Sequence, residues 1–227
     1  MTVRAVLFDA GNTLLEFDYA TLTDVLRARG HDVTLAAVTD AERKARIRLD
    51  EERAADPGRR GEGRYVNYLL GNLGVDDDAE RRAIADWRRR YNLPVGLCRH
   101  ADPNAVEALR RVREAGMVAG VISNSNGSVR QALERAGLAE YLDFVIDSTV
   151  VGVTKPDPRA FHLGLEVARV RAEEAVYVGD SYFVDVLGSE RVGMRGVLFD
   201  PGGCWGRRDC VSAADLRAAV DRALDPG

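Results

Sequence analysis

Lysine, cysteine and long apolar runs are all scarce in this chain of 227 residues. Lys44 and Lys155 are the only lysines, and arginine supplies nearly all the remaining positive charge. Each lysine is therefore worth examining for a chemical role. Cys98, Cys204 and Cys210 are odd in number and lack the close paired spacing of a zinc site, which argues against a disulfide framework. No apolar stretch approaches the roughly 20 residues that a membrane-spanning helix needs. The first residues run straight into a strand, with no charged leader and apolar segment. The expectation is a cytoplasmic protein with no membrane partner. Excess positive charge is missing too: the formal net charge is −4, which argues against a nucleic-acid surface. Internal repeats and low-complexity tracts are absent.

Hydrophobic residues make up 46% of the chain, enough for one buried core with a sizeable insertion. Val3 to Phe8 is short, apolar and bounded by turn residues, the pattern of a strand buried on both faces. From Asp18 the character turns helical. Leu22, Val25, Leu26 and Arg29 follow a helical period that Gly30 stops. Ala36 to Ala55 reads as a long amphipathic helix, and Asp56 to Gly63 as a loop. Tyr65, Leu69, Leu70 and Leu73 form a third apolar face ending at Gly74. Asp78 is expected to cap a fourth helix, which carries Ile84, Trp87 and Tyr91. After Pro94 strand and helix alternate. Helices are predicted at 103–115, 127–136, 158–169, 184–191 and 212–224, and strands at 117–122, 144–146, 175–178 and 195–199. This alternation predicts an α/β fold, a doubly wound, Rossmann-like parallel sheet covered on both faces. The expected core comprises residues 1–16 and 95–227, interrupted by an all-helical domain at 17–94.

Four short stretches carry chemistry. Asp9 closes Val6-Leu7-Phe8 and opens Ala10-Gly11-Asn12-Thr13. A carboxylate leaving a buried strand into a small flexible turn is how an α/β sheet presents a nucleophile at its carboxyl edge. Ser123 and Asn124 follow Val121-Ile122, bringing a hydroxyl and backbone N–H groups to a helix start suited to phosphoryl oxygens. Lys155 precedes the rigid Pro156-Asp157-Pro158. Val178-Gly179-Asp180-Ser181 leaves another strand, with Asp185 about one helical turn further on. Taken singly, Asp9 reads as a turn aspartate, Lys155 as a surface lysine and Asp180 as a helix N-cap. In their order and spacing the four resemble the motifs of the haloacid dehalogenase-like hydrolase superfamily, in its helical-cap subgroup, over nearly the whole chain. The resemblance implies that Asp9 is a nucleophile forming an aspartyl-phosphate. It implies that Ser123, Asn124 and Lys155 bind the phosphoryl group, with Lys155 also neutralising charge on the nucleophile. Mg2+, which prefers oxygen ligands, would be held by Asp9, the Gly11 carbonyl and Asp180, with Asp185 acting through water. The implied substrate is a small phosphorylated metabolite, chosen by the helical cap.

One position departs from the pattern. The family's phosphatases read Asp-x-Asp-Gly-Thr, whereas this chain reads Asp9-Ala10-Gly11-Asn12-Thr13. The missing second carboxyl is the family's general acid/base, a group that typically contributes about 10²–10⁴ in rate. Four readings follow: a phosphatase biased to acyl or aryl phosphates, whose leaving groups need little protonation; recruitment of Glu16 or Asp18 as the acid; cleavage of a carbon–phosphorus bond through a Schiff base on Lys44; or a catalytically weak member that binds a phosphorylated ligand or a protein. The surroundings of Lys44, Glu42-Arg43-Lys44-Ala45-Arg46, resemble a solvated helix face more than the desolvated pocket an amine nucleophile needs. Asn12 tolerates left-handed backbone geometry, so the turn can still form. Arg59, Arg60 and Arg64 are expected to meet an anionic substrate. Tyr65, Trp87 and Tyr91 either line the cleft or, as their helical spacing favours, form the core of the insertion.

Overall fold

A computed structural model describes residues 2–56, 63–93 and 95–225. The opening apolar run forms β1 (Ala5–Phe8), buried throughout. A tight turn leads to β2 (Leu15–Phe17), followed by the helices α1 (Tyr19–Ala28), α2 (Leu35–Ala55), α3 (Arg64–Asn72) and α4 (Asp78–Tyr91). The chain then alternates through β3 (Cys98–Ala101), α5 (Ala105–Glu114), β4 (Val118–Ser123), α6 (Val129–Arg135) and β5 (Phe144–Asp147). It continues through α7 (Ser148–Val151), α8 (Pro158–Ala168), β6 (Ala175–Gly179), a π-helical turn (Tyr182–Leu187) and α9 (Gly188–Glu190). It closes with β7 (Arg195–Phe199), β8 (Val211–Ala213) and α10 (Leu216–Leu224). Two compact units result: Met1–Glu16 with Cys98–Gly227, and Phe17–Leu97.

The first unit is built on a six-stranded parallel sheet in the order β5-β4-β1-β6-β7-β8. Successive side chains of a strand point to opposite faces. Leu7, Ile122 and Tyr177 therefore share one face, where Phe161 and Leu165 of α8 cover them. Val6, Phe8, Val176 and Val178 point the other way and are equally buried. Burial on both faces is why these strands read as continuous apolar runs. The chain extends from β1 through β4 to β5 on one side, then crosses to β6 and works outward to β8. The reversal lies beside β1, and such switch points are where open α/β sheets bind ligands.

The second unit is helical throughout its described length apart from the end of β2 and short turns. Asp18 caps α1, its Oδ1 accepting from Thr21 N at 2.9 Å, and Thr34 caps α2. Leu22, Leu26, Val38, Ala41, Ala45, Leu69, Leu70 and Ile84 are buried. The cap of α4 is Asp77, not the expected Asp78: Asp77 Oδ1 accepts from Glu80 N at 2.7 Å, and Asp78 is already inside the helix.

Three further elements differ from expectation. The final helix begins at Leu216 with Asp215 as its cap, and Val211–Ala213 at its predicted start is an edge strand on β7. The predicted helix at 184–191 opens instead as a π-helical turn at Tyr182. β2 and β3 pair as a two-stranded ribbon that the sequence pattern did not indicate. Most of the predicted loop from Asp56 to Gly63, including Arg59 and Arg60, lies outside the described residues, as does Pro94. No described helix is long and apolar enough to cross a membrane.

Candidate active site

The register of the sheet assembles the chemistry. β1 and β6 run parallel with Phe8 opposite Val178, so Asp9 and Asp180 leave adjacent strand ends. Asp9 N donates to Val178 O at 2.9 Å, extending the ladder to the nucleophile candidate itself. Ser123 is the last residue of β4, the neighbour on the other side of β1, and is buried. Three motif residues thus reach one carboxyl edge because three strands share one register.

Lys155 arrives from the loop before α8 and is held from two directions. The Asn124 amide clamps its backbone: Nδ2 donates to Lys155 O and Oδ1 accepts from Lys155 N, each at 2.8 Å. Asn124, expected among the phosphate ligands, therefore has both ends of its amide engaged in positioning the lysine. At the other end of the side chain, Lys155 Nζ donates to Asp9 Oδ1, Asp185 Oδ1 and the Tyr177 hydroxyl, each at 2.7 Å. Those three acceptors match the three donors of an ammonium. The Tyr177 hydroxyl in turn donates to Ile122 O at 2.7 Å. Burial alone would lower the pKa of Lys155, but Asp185 and Asp9 outweigh it and raise it well above the ordinary lysine value. Burial likewise drives the Tyr177 phenol upward, so it stays neutral.

Asp9, Asp180 and Asp185 are all buried and offer carboxylate oxygens within 4.8 Å of one another. Asp185 folds back beneath the end of β6, where its Oδ2 accepts from Ser181 N at 3.1 Å. Gly179 makes that possible, since a Cβ there would lie 2.5 Å from Asp185 Cγ. Burial pushes the Asp185 carboxyl up to about 8, with Lys155 opposing and Asp9 and Asp180 adding. Asp9 and Asp185 thus share one ammonium, with the Asp180 carboxyl group close by. Oxygen donors at this spacing suit a hard divalent cation such as Mg2+, and carboxyl groups crowded in a buried site are the environment such an ion relieves. Thr13 Oγ1, buried in the neighbouring turn with no hydrogen-bond partner, is a further polar atom of the same region.

The turn after Asp9 forms without the usual glycine. Asn12 adopts φ 57°, and Asn12 N donates to Leu15 O at 2.7 Å while Leu15 N donates to Ala10 O at 2.8 Å. Gly11 lies outside the left-handed region, and a Cβ added to it would rest 3.4 Å from Cys98 Sγ, an ordinary contact. Packing therefore does not require glycine at position 11. Of the two substitute acids, Asp18 is engaged at the start of α1, where its Oδ2 also accepts from the Thr21 hydroxyl at 2.7 Å. Glu16 is exposed on β2; partial burial and then Asp102 raise its carboxyl, with His100 opposing.

Lys44 is solvent-exposed and ion-paired with Asp40 at 2.8 Å, which lacks the desolvation an amine nucleophile needs. Arg64 donates to Glu52 at 2.9 Å. Tyr65 donates to Glu42 at 2.8 Å and carries Arg88 over its ring, while Trp87 and Tyr91 stack at 5.0 Å. These are internal contacts of the helical unit. Tyr177 was missed by sequence reasoning. Its only signal was a polar tip within an otherwise aliphatic strand, three residues before Asp180.

Known proteins share this pattern. The sequence profile of haloacid dehalogenase-like hydrolases matches residues 3–193. A glyceraldehyde 3-phosphate phosphatase of Methanopyrus kandleri is 30% identical over 204 residues, covering 85% of this chain and 82% of that protein. A ribulose-1,5-bisphosphate 5-phosphatase of Halopiger xanaduensis is 39% identical over 124 residues, covering 54% of this chain and 50% of that protein. The chain thus spans about half the length of that relative. Among solved structures, the HAD-hydrolase YfnB of Bacillus subtilis superposes with a TM-score of 0.70 at 19% identity, covering 98% of this chain and 99% of that one, a likeness of fold. With the profile matching most of its length and phosphatases among its relatives, the chain belongs to the haloacid dehalogenase-like hydrolases.

Proposed function

We propose that the protein is a magnesium-dependent phosphatase acting on a small phosphorylated metabolite through an aspartyl-phosphate on Asp9. The observation that carries this reading is the convergence of buried carboxyl groups beside Lys155, with oxygens of Asp9, Asp180 and Asp185 within 4.8 Å of one another. Asp9 and Asp180 would hold the ion with the Gly11 carbonyl, and Asp185 would support it through water or directly. Bound there, the ion supplies positive charge to the phosphoryl oxygens.

Attack by an Asp9 carboxylate oxygen on phosphorus forms the acyl-phosphate bond as the bond to the leaving oxygen breaks. Lys155, fixed by Asp9, Asp185 and Tyr177, offsets negative charge beside the transferring group. The buried setting makes that ammonium's charge count for more than it would in water. Water then attacks the aspartyl-phosphate, releasing inorganic phosphate and restoring the Asp9 carboxylate. The leaving oxygen meets no carboxyl at position 11, so substrates with good leaving groups, acyl and aryl phosphates, are the favoured class. The exposed, ion-paired Lys44 weighs against the Schiff-base alternative. The helical unit is assigned the role of substrate-selecting cap.

The test is a phosphate-release screen over acyl, aryl and alkyl phosphates, with and without Mg2+, with Asp9→Asn as control. Magnesium-dependent release confined to the unaltered protein is expected. Release that persists in Asp9→Asn would move the nucleophile elsewhere.

A further inference from the structure

The loop between β7 and β8 plays no part in the chemistry described so far, yet it holds one of the chain's two tryptophans. Pro201 to Cys204, Gly206 and Arg207 are exposed, while Trp205 between them is 6% exposed. A loop does not bury a tryptophan amid exposed neighbours unless something fixes it there. Asp200 does so at the base, its Oδ1 accepting from Cys204 N at 2.9 Å and its Oδ2 from Trp205 N at 3.1 Å. Asp200 N is itself tied to Ala213 O at 2.9 Å. Arg208 braces the far side, donating to Trp205 O at 3.2 Å with its guanidinium 5.4 Å from the indole and 5.5 Å from the Tyr182 ring.

The indole N–H is aimed at the active-site edge: Trp205 Nε1 donates to the backbone carbonyl of Asp180 at 2.9 Å, with both groups buried. Asp180 lies just beyond the last residue of β6 and just before the π-helical turn that carries Asp185. A buried carbonyl needs a hydrogen-bond partner, and a tryptophan N–H, which only donates, is a suitable one. The bond fixes the plane of the peptide after Asp180, and with it the direction in which the Asp180 side chain leaves the strand.

We infer that Trp205 is a positioning residue, holding the Asp180 carboxylate at the angle from which it meets Asp9 and Asp185 to bind a divalent cation. The inference rests on the reading of Asp180 as a magnesium ligand. Partners that orient ligands from behind typically set metal affinity within about 10–100-fold. Trp205→Phe keeps an aromatic ring in the space and deletes only the N–H.

The test is calorimetric titration of the intact, metal-free protein with Mg2+, comparing wild type, Asp180→Asn and Trp205→Phe, with thermal melts of each before metal is added. Wild type should bind, Asp180→Asn should not, and Trp205→Phe should bind about 10-fold more weakly. A tryptophan that served packing alone would lower the melting temperature and leave the dissociation constant where it was. A Trp205→Phe constant within twofold of wild type, beside a silent Asp180→Asn, overturns the role of Trp205 and leaves the metal reading standing. A wild type that binds nothing, or an Asp180→Asn that binds like wild type, overturns the metal reading and this inference with it. If Trp205→Phe does not fold, Asp200→Ala decides. It releases the base of the loop and keeps the indole, and weaker binding supports the inference where unchanged binding refutes it.

Discussion

Glu42 and Asp185 are both carboxylates sealed from solvent, one in each unit, and they keep opposite company. Glu42 in α2 accepts from the Tyr19 hydroxyl at 2.9 Å and the Tyr65 hydroxyl at 2.8 Å, and pairs with Arg46 at 3.3 Å. One negative charge meets two neutral donors and one cation. Asp185 shares the Lys155 ammonium with Asp9, and Asp180 adds a third carboxyl group within 4.8 Å of both. Burying a charge is expensive unless it is paired, and the cluster around Glu42 answers that locally. The cluster around Lys155 instead converges oxygen donors at a spacing that suits a cation. A buried carboxylate by itself thus says little about function; the groups gathered with it say a great deal.

The comparison breaks most sharply at Asp9. Asp9→Asn should lose turnover altogether while circular dichroism shows the fold retained; steady-state activity near wild type would mean the cluster around Lys155 is not the reaction centre. Gly11→Asp tests the same cluster by adding to it. The backbone and Cys98 leave room for a Cβ at that position, and the restored acid should raise alkyl-phosphate turnover by about 10²–10⁴, with a much smaller gain on aryl phosphates. Equal gains on both would sink the missing-acid explanation.

In the cluster around Glu42 the readout moves from rate to stability. Glu42→Ala leaves two phenols and Arg46 without their buried partner, and should cost about 3–5 kcal/mol in denaturant titration followed within the helical unit. A loss below about 1 kcal/mol would show that Glu42 is not what holds these helices. The smallest expected effect belongs to Glu80. Its two hydrogen bonds from Arg29, at 2.6 and 2.7 Å, and then His31 hold its carboxyl down to about 2. A carboxyl lowered on folding stabilises the protein above its unfolded value near 4.5, and that contribution disappears as pH falls toward 2. Glu80→Gln should lower the melting temperature slightly at neutral pH, and the gap to wild type should close as pH falls toward 2. An identical acid profile in both proteins would contradict this.

The sheet core was legible because strands buried on both faces leave unbroken apolar runs: Val6-Leu7-Phe8 and the stretch before Gly179 could hardly be anything else. Asp9 and Asp180 were legible as neighbours for the same reason, since each sits where such a run stops. What sequence did not reveal was set by distant pairing. β2 and β3 are short, and Cys98-Arg99-His100-Ala101 carries no apolar alternation; they become strands only by meeting across some 80 intervening residues. Val211-Ser212-Ala213 looks like a helix entry because it carries Ser212 and runs on to Asp215, yet the edge of β7 recruits it as a strand. Asp76, Asp77 and Asp78 are chemically identical candidates for one cap, and only the chain path chooses Asp77. Tyr177 and Trp205 escaped, and Asn124 was expected in a different role, because each acts on another residue's backbone or ammonium, a role without a local pattern.

A divalent-cation site at Asp9, Asp180 and Asp185 is the central claim, and thermal melting against Mg2+ tests it most directly. An ion that binds only the folded protein stabilises it by about 2.7 kcal/mol at 100 times its dissociation constant. The wild-type melting temperature should therefore climb steadily with Mg2+. Asp180→Asn, with one like charge removed, should melt at or above the metal-free wild type and fail to respond. A wild-type melt indifferent to millimolar Mg2+, or an Asp180→Asn protein that climbs in parallel with it, would contradict the account.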